Sequence, residues 1–409
     1  MISSTLPSKQ NVNKRWKLSG MHIVIIFISS FLLAFLFLYW LKYEVAPAYW
    51  PIGVDIYPLW VGTRAFWNGQ SPYTSTVDFT TLSLMYGRQP TASDAILGFY
   101  YPAYVAEVLA PFALLPVGLA ALVWSALMYA ILVSLIISIT LSLPDRLSPF
   151  RWALLLLSGL LYRPALLAVL DAQYGLFIVA CWALAWYTIR KQRWFLAGFL
   201  VAISTIKPSL SLIPAGVVIL WSLYKGRPKI ALSFFCTLVI MLAISFVKIG
   251  WWIPDFLLRI GEVERNATWV NSDILTVPGI CWLLFCGYFI FQGFREFKAT
   301  KEFPFSLFFG GLLLNLAITP HTLEYDMVVL ILPLILLTPA LGKTLPGYFY
   351  LLFIIFCPWI SWMLFTLVGI PISTWWKALW QFYPLLITGT FIFLLRNSRP
   401  FDYMTQLSD

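Results

Sequence analysis

Apolar runs separated by short polar stretches set the pattern of this chain, at 20–41, 117–142, 152–170, 175–189, 230–248, 274–292, 304–319, 326–341, 347–367 and 382–396. A membrane helix needs roughly 20 apolar residues, so the pattern predicts about ten to twelve spans joined by short loops. Two shorter runs, 195–206 and 209–223, flank Lys207-Pro208 and are each short for a full crossing. They predict a pair of short or broken helices meeting at a buried lysine.

The longest polar interval follows the first run and covers 42–116. Within it, PLWVGTRAFWNG places apolar residues at helical spacing around Trp60 and Trp67, and AEVLAPFALLP at 106–116 is a second apolar candidate. Both suit helices lying in the membrane interface. Trp251, Trp252, Trp269, Trp375, Trp376 and Trp380 fall in two later loops, 250–273 and 370–382, where an aromatic belt belongs.

Composition agrees: 61% of residues are hydrophobic, 11% are charged, and the mean hydropathy is +0.84. This is an all-α polytopic membrane protein forming one integral-membrane domain over 1–409, with no room for a separate soluble domain. The formal charge of +10 does not point to nucleic acid, because the basic residues are clustered between spans at Arg146/Arg151, Arg190/Lys191/Arg193, Lys225/Arg227/Lys229, Arg295/Lys298/Lys301 and Arg396/Arg399. That recurrence is the positive-inside pattern. It predicts a retained first helix, cytoplasmic tails at 1–19 and 397–409, and an acidic extracytoplasmic face carrying the 42–116 loop and the active site. Short tails without a retrieval signal suit a bacterial plasma membrane. The five cysteines lie in apolar stretches, and their plain reading is as small buried hydrophobes.

Ionisable groups near or inside spans are functional candidates, since burying one at the bilayer centre costs on the order of 3 kcal/mol. Asp55, in Gly53-Val54-Asp55-Ile56-Tyr57, reads either as the N-cap of a helix opening after it or as a general base at the water–lipid boundary. Lys207, before Pro208, reads as a snorkelling lysine or as a phosphate-holding cation, and Arg163-Pro164 repeats the same design. Gln173, in Asp171-Ala172-Gln173-Tyr174-Gly175, lies in a turn and suits sugar hydroxyls or a phosphate. The segment from Thr319 to Asp326 holds His321, Glu324, Tyr325 and Asp326, either as caps of a tight hairpin or as polar ligands.

In their order, Asp55-Ile56-Tyr57, Gly69-Gln70-Ser71-Pro72-Tyr73, Tyr100-Tyr101-Pro102, Leu109-Ala110-Pro111, Leu115-Pro116, Gln173-Tyr174-Gly175, Ala197-Gly198 through Ile206-Lys207-Pro208, and Thr319-Pro320-His321 to Tyr325-Asp326 resemble the polytopic glycosyltransferases of the GT-C superfold, specifically family 87. That family includes polyprenol-phosphate-mannose-dependent mannosyltransferases. It often has Gly-Gln-Asn where this chain has Ala172-Gln173-Tyr174, and some members carry His-His where Tyr325-Asp326 stands.

The resemblance implies inverting transfer of a single hexose, mannose foremost, from a polyprenyl-phosphate donor to a hydroxyl of a lipid or glycan acceptor on the extracytoplasmic side. It implies a GT-C-like bundle, Asp55 as the base, Lys207 with Arg163 or Arg64 at the donor phosphate, and Gln173, His321, Tyr325, Asp326 and Tyr101 around the sugar or acceptor. No cofactor is expected, and no Asp-x-Asp motif in the outer loops asks for a metal. A secondary transporter or lipid-linked-sugar flippase is the rival reading, with Lys207, Asp171 and Asp326 as coupling sites. A polymerase or ligase of lipid-linked glycans ranks behind it, because the large loop of that class comes late in the chain.

Overall fold

The structure, a computed structural model, describes residues 20–45, 52–91, 97–141, 148–266, 277–300, 303, 305–319, 323–342, 344–369, 383, 386–387 and 390. Every regular element among them is helical. Helix α1 (Gly20–Trp40) is an unbroken apolar run that rises about 30 Å at 1.5 Å per residue, enough to cross a bilayer. It continues into a π-helical turn at Leu41–Val45.

The interval that follows contains α2 (Ile56–Trp67), α3 (Ser75–Tyr86) and α4 (Val105–Ala113). Both interfacial helices expected from sequence are therefore helical, and they pack on each other. Next come α5 (Val117–Leu141), α6 (Pro149–Leu160) and α7 (Arg163–Leu170). Ser148 caps α6 by accepting the Arg151 N–H at 3.4 Å, and Pro149 occupies the first turn, where its missing N–H costs nothing. Between α6 and α7 the chain bends by 44° at Leu161–Tyr162, just before Arg163-Pro164.

The middle of the chain forms α8 (Gly175–Arg190), α9 (Trp194–Ser204), α10 (Pro208–Tyr224) and α11 (Pro228–Ile249). Lys207 holds an extended backbone (φ −122°, ψ 86°), as a residue before proline must, and so α9 and α10 are separate helices. Helix α12 (Ile253–Asn266) follows, then α13 (Val277–Thr300), α14 (Phe305–Ile318), a 3-10 turn at Glu324–Leu330, α15 (Ile331–Leu341) and α16 (Leu345–Val368).

Four helices among the described residues are long and apolar enough to cross a membrane, and five if the bent α6–α7 pair counts as one span. Two runs counted as spans from sequence, 175–189 and 304–319, are shorter apolar helices, α8 and α14, while α9 and α10 are the short helices expected on either side of Lys207-Pro208. Their ends are fixed by polar breaks at Asp171–Tyr174, Thr205–Lys207 and Thr319 onward. The run at 382–396 and both tails lie outside the described residues, apart from isolated positions.

Packing places the large apolar cluster among α2, α4, α5 and α7 to α11, with the 3-10 turn and α14 to α16. Helix α1 packs on α5 through Ala34, Leu38, Leu122 and Ala126, leaving Leu32, Leu33 and Leu36 exposed, as suits a lipid-facing span. Helix α10 is spliced to α14 by Asn315. Its Oδ1 accepts the Ile213 N–H at 2.9 Å, while its Nδ2 donates to the carbonyls of Pro208 (3.3 Å) and Ser209. The amide thus satisfies backbone groups at the start of a helix that also contains Pro214.

Candidate active site

The loop carrying Asp55 is bound by its backbone to the end of α7. Gly53 N–H donates to the Leu170 carbonyl at 2.6 Å, and Asp55 N–H donates to the Asp171 carbonyl at 3.1 Å. These bonds satisfy carbonyls that the end of a helix otherwise leaves without partners. Gly53 has φ +77°, and a Cβ there would lie 2.8 Å from the Ala121 Cβ on α5, so only glycine fits.

Asp55 occupies the N-cap position of α2, but its side chain makes no capping hydrogen bond. The carboxylate instead accepts from Gln173 Nε2. The N-cap reading thus describes the residue's place and not its contacts.

Gln173 arrives by a tight turn. Ala172 takes the left-handed conformation (φ 58°), and the Gln173 N–H closes back on the Ala168 carbonyl at 2.8 Å. The left-handed region disfavours any Cβ, which gives the glycine common at this position in the resembling family a physical reason. Both residues are buried. The other end of the Gln173 amide accepts from Lys207 Nζ at 3.3 Å.

Lys207 forms an ion pair with Asp326 and lies 5.1 Å from the centre of the Tyr325 ring. Asp326 in turn accepts the Leu323 N–H at 3.2 Å through its second oxygen. Asp55, Gln173, Lys207 and Asp326 therefore form one continuous polar chain drawn from four segments. Tyr101 and Tyr174 stand beside it edge to face, with centroids 5.2 Å apart. The Tyr101 carbonyl is held by the Tyr73 hydroxyl at 2.8 Å, and the Tyr73 ring stacks on Trp252.

Burial pushes the Asp55 carboxyl up to about 6, against the Gln173 hydrogen bond and the Lys207 charge, which lower it, and with Asp326, which adds to the rise. Asp171 is pushed up to about 7, first by burial and then by Asp55 and Glu324. Burial raises the Tyr101 phenol well above its ordinary value, with the charges of Asp55 and Asp326 adding to it.

The other expected site residues are placed differently. Arg163 pairs with Glu324, on the same 3-10 turn as Asp326, and lies over the Trp359 and Trp362 rings at 5.4 and 5.2 Å. It is a neighbour of the polar chain and not a link in it. Arg64 is exposed, 4.5 Å from the centre of the Trp60 ring, and lies about 13 Å along α2 from Asp55 at 1.5 Å per residue. The structure does not bring it to the cluster. His321 lies outside the described residues.

Of the residues expected at sugar hydroxyls, Gln173 bonds Asp55 and Lys207, and Asp326 pairs with Lys207. Sequence reasoning passed over Asn315 and the pairing role of Glu324. A lone asparagine within the apolar run LLLNLAI was the signal for the first. Among the described residues, no group of three His, Cys, Asp or Glu side chains could hold a metal ion.

Fold and site together define an all-α integral membrane protein whose buried charges converge at helix breaks. Residues 99–287 match the model of glycosyltransferase family 87. The match supports a glycosyltransferase. Tyr101, Arg163, Gln173 and Lys207 lie inside the matched stretch, whereas Asp55, Tyr325 and Asp326 lie outside it. No curated protein and no solved structure matches the chain.

Proposed function

We propose that the protein moves a single hexose, mannose foremost, from a polyprenyl-phosphate donor to a hydroxyl of a lipid or glycan acceptor at the extracytoplasmic membrane boundary. Asp55 takes the proton of the acceptor hydroxyl as that oxygen bonds to the anomeric carbon. The bond from that carbon to the phosphate oxygen breaks on the opposite face, inverting the configuration, and the lipid phosphate leaves with the electron pair. Lys207 offsets the charge on the departing phosphate, which competes with Asp326 for the ammonium.

The observation that carries this reading is the single amide spanning Asp55 and Lys207, which brings a carboxylate and a cation together at the break between α9 and α10. A carboxyl near pH 6 is ionised at neutral pH and basic enough to accept a proton during attack. A donor dissolved in the membrane suits a site among helix ends, because its sugar phosphate meets the charges while its hydrocarbon chain stays in lipid.

The test is transfer from labelled polyprenyl-phosphate-mannose by the purified protein in detergent. Asp55→Asn should lower the rate about 10²- to 10⁴-fold with folding intact, and full activity in that variant would remove the base assignment. Detergent carries no gradient, so a transporter or flippase would form no glycosidic product in this assay.

A further inference from the structure

We propose that Gln173 is a positioning residue for the transfer: Lys207 fixes its amide in one orientation, and that amide holds Oδ2 of Asp55, leaving Oδ1 as the oxygen that receives the proton. The inference rests on the reading of Asp55 as the base.

The orientation follows from donor and acceptor chemistry. An ammonium only donates, and an ionised carboxylate only accepts. An amide lodged between them satisfies both only with its oxygen toward Lys207 and its NH2 toward Asp55, which is the arrangement observed. The reverse orientation would set a carbonyl against a carboxylate and an NH2 against an ammonium. Gln173 is 2% exposed, and its backbone is held by the left-handed Ala172 and the bond to Ala168, so the amide has little freedom to move elsewhere.

The groups around Asp55 supply no substitute. Asp171 belongs to the same turn, Tyr174 begins α8, Tyr101 precedes α4, Tyr325 and Asp326 come from the 3-10 turn, and Lys207 precedes α10. Among the described residues, Gln173 alone makes a side-chain hydrogen bond to Asp55. Without that bond the ionised carboxylate loses its fixed partner, its free oxygen is no longer aimed, and its proton affinity rises.

Gln173→Met and the near-isosteric Gln173→Glu test this through the pH profile of kcat/KM in the labelled-donor assay. Both should move the acidic limb upward, by about one unit or more for the loss of a hydrogen bond to a charged group. In Gln173→Met, kcat should fall about 10- to 100-fold for a misaimed base, with donor KM changed less than about threefold. A residue that only supports packing would lower the yield of folded protein without moving the limb. An unmoved limb in a folded variant, with Asp55→Asn still inactive, overturns the role of Gln173 alone. Full transfer by Asp55→Asn overturns the base and this proposal with it.

Discussion

The ion pair between Lys207 and Asp326 permits a test that separates stability from chemistry. Only 2% of the Asp326 side chain is exposed, so Lys207→Met leaves a buried carboxylate without its cation. Breaking a buried pair from one side costs about 3–5 kcal/mol, because the remaining charge stays desolvated. Replacing both partners removes most of that penalty. Asp326→Asn keeps an oxygen to accept the Leu323 N–H, so the double variant Lys207→Met/Asp326→Asn should lie within about 1–2 kcal/mol of wild type.

The double variant should therefore recover about 1–4 kcal/mol of the stability lost in Lys207→Met. Denaturant titration in detergent micelles, followed by tryptophan fluorescence, measures it. The double variant should regain stability and still fail to transfer sugar, since the cation for the leaving phosphate is gone. Additive losses, or a Lys207→Met cost under about 1 kcal/mol, would refute the claim that this pair is a desolvated counterion contact.

Two further outcomes follow from the loop that carries Asp55. Its folded-state carboxyl, near 6, stands above the ordinary 3.8, so the stability Asp55 contributes is fully present below pH 3.8 and is lost as pH climbs through 6. Asp55→Asn should consequently be more stable than wild type by about 2–3 kcal/mol at pH 8 and by under about 1 kcal/mol near pH 4. A gap independent of pH in the same denaturant titration would contradict the burial argument. Gly53→Ala puts a side chain at φ +77° and 2.8 Å from Ala121, and should cost about 1–3 kcal/mol together with most transfer activity, read by melting temperature and labelled-donor turnover.

Much of the local architecture was legible in the sequence because it depends on neighbours along the chain. Lys207-Pro208 forecast its break, since proline removes a donor and restricts the residue before it. Amphipathic spacing around Trp60 forecast α2. The pairings were not legible in the same way. Asp55 and Gln173 are 118 positions apart, and Lys207 and Asp326 are 119 apart. Choosing Asp326 over Glu324 as the partner of Lys207 depends on the turn between them, a 3-10 helix that points the two acids at different cations. The break between α6 and α7 was hidden for a related reason. Hydropathy adds apolar residues across 152–170 as one run, whereas the chain breaks before Arg163-Pro164 into α6 and α7.

Coincidence of charges with helix breaks follows from backbone chemistry. A helix that ends within a bundle leaves carbonyls that need donors, and in a membrane water supplies few of them. The end of α7 meets this need with the N–H groups of Gly53 and Asp55, and so Asp55 is attached to the turn that carries Gln173. The start of α10, where N–H groups lack partners, is held by the Asn315 amide, which accepts the Ile213 N–H and donates to the Pro208 and Ser209 carbonyls beside Lys207. The separation of Asp55 and Lys207 is therefore set by two repaired breaks and one amide, and the long spans contribute only indirectly. Substitutions on the lipid-facing side of α1, at Leu32 or Leu33, touch none of these links and should leave the alignment of Asp55 with Lys207 unchanged.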